Sequence, residues 1–121
     1  CWAIYVCGLV YQYLLANGGL EAIQVVNERK AKVVYDAIDR SGGFYQGHAK
    51  VENRSPMNVS FLLPSEEITN RFVTEADAQG LNGLKGHRSI GGIRASIYNA
   101  FPEEGCHALA AFMDEFARKN G

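Results

Sequence analysis

The sequence predicts one α/β domain of the two-layer α+β kind, a small sheet under helices, and three observations carry the prediction. At 121 residues the chain is long enough to bury one core. Its periodic segments run in the order helix, helix, strand, helix, short strands, helix. Between Gly80 and Asn99 the composition changes, with glycines at 80, 83, 86, 91 and 92 separating two short candidate strands, the pattern of a shaped loop between strands. No internal repeat, low-complexity tract or flexible linker interrupts this order.

From Trp2 to Ala16 apolar residues cover nearly every side, as in a helix buried against other protein on more than one face, with Trp2 a core residue. Asn17-Gly18-Gly19 ends it, because Asn and Gly tolerate the left-handed backbone that closes helices. A second helix is expected from about Leu20 to Asp39, with Leu20, Ile23, Ala31, Val34, Tyr35 and Ile38 on one apolar stripe. Its exposed face carries Glu21, Glu28, Arg29, Lys32 and Asp36, and Glu28 and Lys32 stand at the favourable four-residue spacing. Ser41-Gly42-Gly43 breaks it, and a short extended piece follows around Phe44-Tyr45. After a polar run from Gln46 to Pro56, Met57 to Leu63 reads as the best strand, bounded by Pro56 and Pro64. Pro64-Ser65-Glu66-Glu67 is a helix start with acidic residues in its first turn, and Ile68, Phe72, Val73 and Ala76 form the buried stripe to about Gln79. Leu84-Lys85 and Ile93 to Tyr98 are the candidate strands of the glycine-rich part. Phe101-Pro102-Glu103-Glu104 opens the last helix, whose inner stripe is Cys106, Leu109, Ala110, Met113 and Phe116.

Twelve basic against thirteen acidic side chains give a formal net charge of −1, so no global field draws the chain to nucleic acid or to an anionic membrane. Any anion recognition must be local. Cys1, Cys7 and Cys106 show neither the spacing of a zinc site nor the density of a disulfide scaffold, as expected of reduced thiols in a cytoplasmic protein. His48 and His107 have no partner pattern for metal or acid–base work. The first apolar run lacks a basic leader and a small-residue cleavage site, contains Gln12, and is broken at Gly18-Gly19 before it could span a bilayer. It also begins at Cys1, with no initiator methionine and no capping residue, as expected of a cut edge with upstream sequence missing.

Lys85 to Ser96, KGHRSIGGIRAS, carries the chemistry. Arginine offers a planar fork of donors matched to two carboxylate or phosphate oxygens, and glycines let a backbone approach a ligand closely. His87, Arg88 and Arg94 in such a setting describe an anion cradle. If Ile93 to Tyr98 is a strand, Arg94 shares a face with Ser96 and Tyr98 and projects into a cleft, while Ile93, Ala95 and Ile97 face the core. A surface ion pair for Arg94 and a solvated loop for His87 and Arg88 remain open on this chemistry alone. So do a non-catalytic small-anion binding module and a purely structural or dimerisation domain. The glycines have neither phosphate-loop nor dinucleotide-fingerprint spacing.

KGHRSIGGIRASIYNA, Lys85 to Ala100, resembles the signature near the end of phosphoserine aminotransferases, class V, fold-type I pyridoxal-phosphate enzymes. IYVCGLV and LLANGG near the start, NRSPMNVSF from Asn53 to Phe61, and ALAAFMDEFARKNG from Ala108 to Gly121 agree in order. The resemblance implies the small carboxy-terminal domain of such an enzyme over residues 19–121, with a mostly antiparallel sheet, joined by a helix over residues 1–18 to a missing large cofactor domain. It implies an amino-group transfer between glutamate and 3-phosphohydroxypyruvate, giving O-phosphoserine and 2-oxoglutarate, in a cytoplasmic homodimer that uses pyridoxal 5'-phosphate.

By the same resemblance Arg94 matches the arginine that clamps the substrate α-carboxylate. His87 and Arg88 match the pair that binds the distal phosphate or carboxylate and reaches the neighbouring subunit's active site. Asn53, Arg54 and Asn58 are expected to support the turn and strand. None of Lys30, Lys32, Lys50, Lys85 and Lys119 stands in the family's Schiff-base motif. No catalytic, cofactor-binding or metal-ligating residue is therefore assigned in the segment, which is expected to be inactive alone. The equivalent domain of another class V aminotransferase is the nearest enzymatic alternative.

Overall fold

The computed structural model describes residues 1–121 in four α-helices and one three-stranded antiparallel sheet. In chain order the elements are α1 (Trp2–Ala16), α2 (Gly19–Asp39), β1 (Gln46–Gly47), a 3-10 turn (Val51–Asn53), β2 (Asn58–Leu62), α3 (Glu66–Ala78), β3 (Ile93–Ser96) and α4 (Glu103–Asn120). The sheet order is β1-β2-β3, with Gln46 opposite Leu62 and Ser60 opposite Arg94. The helices and the inner sheet face enclose the core, which joins Val34, Ala37 and Ile38 of α2, Phe72 of α3 and the inner stripe of α4 to Val59, Phe61, Ile93 and Ala95 of the strands.

Strand alternation puts Val59 and Phe61 inside with Asn58 and Leu62 outside, and Ile93 and Ala95 inside with Arg94 outside. Phe72, fully buried, packs edge-on against Tyr45, Phe61, Phe112 and Phe116 at centroid distances of 4.9–6.1 Å. The buried Tyr45 hydroxyl donates to the Met113 carbonyl oxygen at 2.8 Å, so the one polar atom brought in by that ring is satisfied. Ser65 caps α3 by accepting from the Ile68 N–H at 3.2 Å.

Several expectations need correction. The helix over Trp2–Ala16 forms as predicted but buries no residue, and Trp2 is 78% exposed instead of lying in a core. The physical reason is that α2 turns away at Gly18 and Gly19, both at positive φ, leaving an 85° bend between the two helices. Leu20, just past the bend, is likewise 75% exposed and outside the apolar stripe. No single helix here is long and apolar enough to cross a membrane, and α1 and α2 are bent by 85° where they meet.

On α2, Lys32 pairs with Asp36 at 2.6 Å, because Glu28 already accepts from Gln24 at 2.7 Å. The extended piece begins at Gln46, after Phe44 and Tyr45 have bent into the core. Leu84-Lys85 makes a single bridge, Lys85 to Ile93, because Gly83 and Gly86 flank it and leave no run to pair. Cys106 is buried and free, and burial raises its thiol pKa; Cys1 and Cys7 are free and exposed on the α1 arm.

Candidate functional site

The segment from Leu84 to Arg94 folds as a pinched loop. Arg94 N–H donates to the Leu84 carbonyl at 2.8 Å and Gly86 N–H to that of Gly92 at 2.9 Å, closing a neck below the tip residues His87 to Ile90. At the tip the N–H groups of Ile90 and Gly91 both bond the His87 carbonyl, at 3.0 and 2.8 Å. At two positions of this neck a side chain has no room. A Cβ at Gly86 would lie 2.1 Å from the Gly91 carbonyl oxygen, and one at Gly92, whose φ is +65°, would lie 2.6 Å from that of Phe61.

Arg94 stands on the exposed face of β3 beside Ser96, whose Oγ donates to Asn58 Oδ1 across the sheet at 3.0 Å. Ser60 lies directly opposite, so the floor around the guanidinium is made of Asn58, Ser60 and Ser96. The one-in-two alternation of Met57 to Leu63 places Asn58 and Ser60 on one face, but their pairing with Arg94 and Ser96 depends on a register that sequence alone does not mark. His87 and Arg88 are exposed at the loop tip. Ser89 N–H donates to His87 Nδ1 at 3.3 Å and the Ser89 hydroxyl lies 2.7 Å away, an arrangement that turns Nε2 outward.

The three expected ligands do not surround one cavity. Arg88 and Lys85 line a cleft of about 520 Å³ against Ser65, Glu66 and Thr69 at the start of α3, whereas Arg94 lies on the open sheet face outside it. A second cavity, about 330 Å³, lies behind β3 between Leu84, Ile97, Phe101 and Cys106 and is mainly apolar.

Charge pairing sets these cations apart from four of the other arginines, though Arg118, Lys50 and Lys30 also lack a carboxylate partner. Arg29 holds Glu103 through two bonds, Arg40 holds Asp114, Arg54 holds Asp39, and Arg71 holds Glu75. Each partner carboxyl for which a shift is resolved, Asp39 and Glu103, is held below its usual range by hydrogen bonding to its arginine. Lys85, His87, Arg88 and Arg94 have no carboxylate within 4.0 Å. The surface-ion-pair alternative for Arg94 is therefore not realised in this chain. Arg54 also stacks 4.5 Å over the Tyr35 ring, and Asn58 braces Ser96, which fits their expected supporting roles.

The lysines are otherwise committed or open to solvent. Lys30 is 1% exposed and bonds three backbone carbonyls, Lys32 and Lys119 are ion-paired, Lys50 is exposed, and Lys85 lines a cleft that has no aromatic ring. This set does not fit a Schiff-base cofactor site, which needs a free lysine in an enclosed pocket. No group of three or more His, Cys, Asp or Glu side chains is placed to hold a metal ion.

No protein-family model matches the chain. Among curated proteins it is 58% identical over 120 residues to phosphoserine aminotransferase of Laribacter hongkongensis and 54% identical over 120 residues to that of Herpetosiphon aurantiacus, matching 99% of this chain and 33% of each relative. Among solved structures it matches phosphoserine aminotransferase from Bacillus circulans subsp. alkalophilus with a TM-score of 0.94 at 51% identity, over 99% of this chain and 33% of that one. A PLP-bound phosphoserine aminotransferase from Trichomonas vaginalis matches with a TM-score of 0.84 at 39% identity, over 93% and 32%. The chain spans about a third of the length of these relatives. By sequence and by fold the chain is similar to phosphoserine aminotransferases over about a third of their length, the part that forms their carboxy-terminal domain.

Proposed function

We propose that this chain is the substrate-gripping, carboxy-terminal part of a pyridoxal 5'-phosphate-dependent phosphoserine aminotransferase. The whole enzyme moves an amino group between glutamate and 3-phosphohydroxypyruvate, giving O-phosphoserine and 2-oxoglutarate for serine biosynthesis. The observation that carries the reading is Arg94: exposed, unpaired, and fixed on a short strand whose neighbours Asn58, Ser60 and Ser96 offer no competing charge.

A guanidinium in that state is ready to take the α-carboxylate of either amino donor in a bidentate bond. His87 and Arg88, at the tip of the pinched loop, bind the distal phosphate or carboxylate in the neighbouring subunit of a cytoplasmic homodimer. One site must accept phosphate and carboxylate alike, and a histidine beside an arginine suits that, since its charge adjusts near neutral pH. Residues 1–18 join the domain to a larger cofactor domain, a role that the uncovered apolar surface of α1 supports. The cofactor and the lysine that holds it belong to that larger domain, because the lysines of this chain do not fit the task. Neither nucleic acid nor membrane is a partner in this reading.

Kinetics of Arg94→Ala in the full-length enzyme test the proposal. Loss of the clamp is expected to weaken use of both glutamate and phosphoserine by about 2–5 kcal/mol in kcat/KM, while Arg88→Ala acts mainly on KM. Unchanged kinetics for Arg94→Ala would falsify the assignment.

A further inference from the structure

Arg94 is held by a strand of only four residues at the edge of the sheet, hydrogen-bonded along its length to β2 alone and, on its outer side, to the loop neck at Leu84. A short edge strand with one partner does not by itself fix a side chain to the fraction of an ångström that bidentate binding requires. At its far end the Ile97 N–H donates to the Met57 carbonyl at 2.7 Å, and the chain beyond Ile97 needs a hold of its own.

That stretch is a tight turn, Tyr98 to Phe101, closed by the Phe101 N–H donating to the Tyr98 carbonyl at 2.8 Å. Three carbonyls of the turn point at one atom. Lys30 Nζ, from the middle of α2, donates to the carbonyl oxygens of Tyr98 at 2.9 Å, Asn99 at 3.3 Å and Phe101 at 2.9 Å. Three donors meet three acceptors, and no carboxylate shares the site. One turn earlier on α2, the buried Asn27 donates from Nδ2 to Asn99 Oδ1 at 2.7 Å.

A lysine that is 1% exposed and has no anionic partner is costly to bury, and its side chain could have been replaced by an apolar one of similar length if filling space were its only task. Its donors go instead to the segment that begins two residues after β3. The apolar cavity behind β3 makes the need plain, because the strand is not backed by solid packing along its whole inner face: Ala95, Ser96 and Ile97 line that cavity.

We infer that Lys30, assisted by Asn27, is a positioning residue for Arg94: it locks the turn at Tyr98–Phe101 and thereby sets where the β3 guanidinium meets the substrate carboxylate. This rests on the reading of Arg94 as the α-carboxylate clamp. Lys30 touches neither substrate nor cofactor and acts through the backbone of the turn.

The test is a kinetic cycle in the full-length enzyme. Lys30→Met keeps the length and removes the donors; it is expected to raise KM for glutamate about tenfold with kcat changed less than about threefold. Combined with Arg94→Lys it should add little, because the geometry it protects is already lost, whereas with Arg88→Ala its effect should appear in full. Asn27→Ala should shift KM in the same direction by a smaller factor, and it decides the matter if Lys30→Met does not fold. Unchanged glutamate KM in the folded variants, or a defect that simply adds to that of Arg94→Lys, overturns the positioning role. If Arg94→Lys alone leaves KM for glutamate unchanged, it is the clamp reading that fails.

Discussion

At the scale of single residues, what separates Arg94 and Arg88 from Arg29, Arg40, Arg54 and Arg71 is the neighbourhood and not the residue type. The latter each face a carboxylate brought near by helix spacing or by the fold, and the former face none. Part of this was legible in the sequence: alternation along Ile93 to Tyr98 put Arg94 on the polar face, where it stands. Lys30 and Asn27 were not legible. They are spaced to join the apolar face of α2, and their partners lie 68 to 72 positions further on, a separation no local pattern encodes. Gly86 illustrates a third case, a glycine required by a neighbour instead of by its own backbone angles. Gly86→Ala is expected to open the neck and to destabilise the domain by about 1–3 kcal/mol, read as a lower urea midpoint at unchanged slope. A midpoint equal to that of the parent would mean that the neck tolerates the methyl group.

At the scale of elements, the helix starts and stops were written in short range. Ser65 ahead of two glutamates opens α3, Pro102 ahead of two more opens α4, and the glycine pairs 18–19 and 42–43 take the positive φ angles that end a helix. Of these, only Ser65 closes its helix with a side chain, so Ser65→Ala should cost about 1 kcal/mol and lower the thermal midpoint by several degrees. Substitution by Gly or Asp should cost less, and a null effect of the alanine would show that the first turn is held by packing of Ile68 alone. The surroundings of an element are encoded at longer range, as α1 shows. Its sequence is apolar enough for burial on several sides, yet nothing in this chain packs over it once α2 turns away through 85°. The same limit explains Leu84-Lys85, where two residues between glycines find one partner position and form one bridge.

At the scale of the whole molecule, three arginine–carboxylate pairs tie separate parts of the chain: Arg29 to Glu103 and Arg40 to Asp114 join α2 to α4, and Arg54 to Asp39 joins the 3-10 segment to the end of α2. The carboxyls of Asp39 and Glu103 titrate below their unfolded values because they accept hydrogen bonds from arginine. A carboxyl depressed in the folded state contributes stability that is complete above its unfolded pKa and is lost as pH falls through the folded one. These two should therefore add no slope between about pH 6 and 8 and a loss of stability below about pH 5. Asp39→Asn with Glu103→Gln should flatten the acid limb of the urea midpoint against pH. An acid limb as steep in the double variant as in the parent would place the sensitivity elsewhere.

The pinched loop has a further consequence, for how such a domain can change over generations. Its neck is made of backbone hydrogen bonds and glycines, so replacements at His87, Arg88, Ser89 or Ile90 leave the register of β3 untouched. The tip and the strand can therefore vary separately: on the proposed function, a change of distal group would fall on the tip and leave the Arg94 clamp in place.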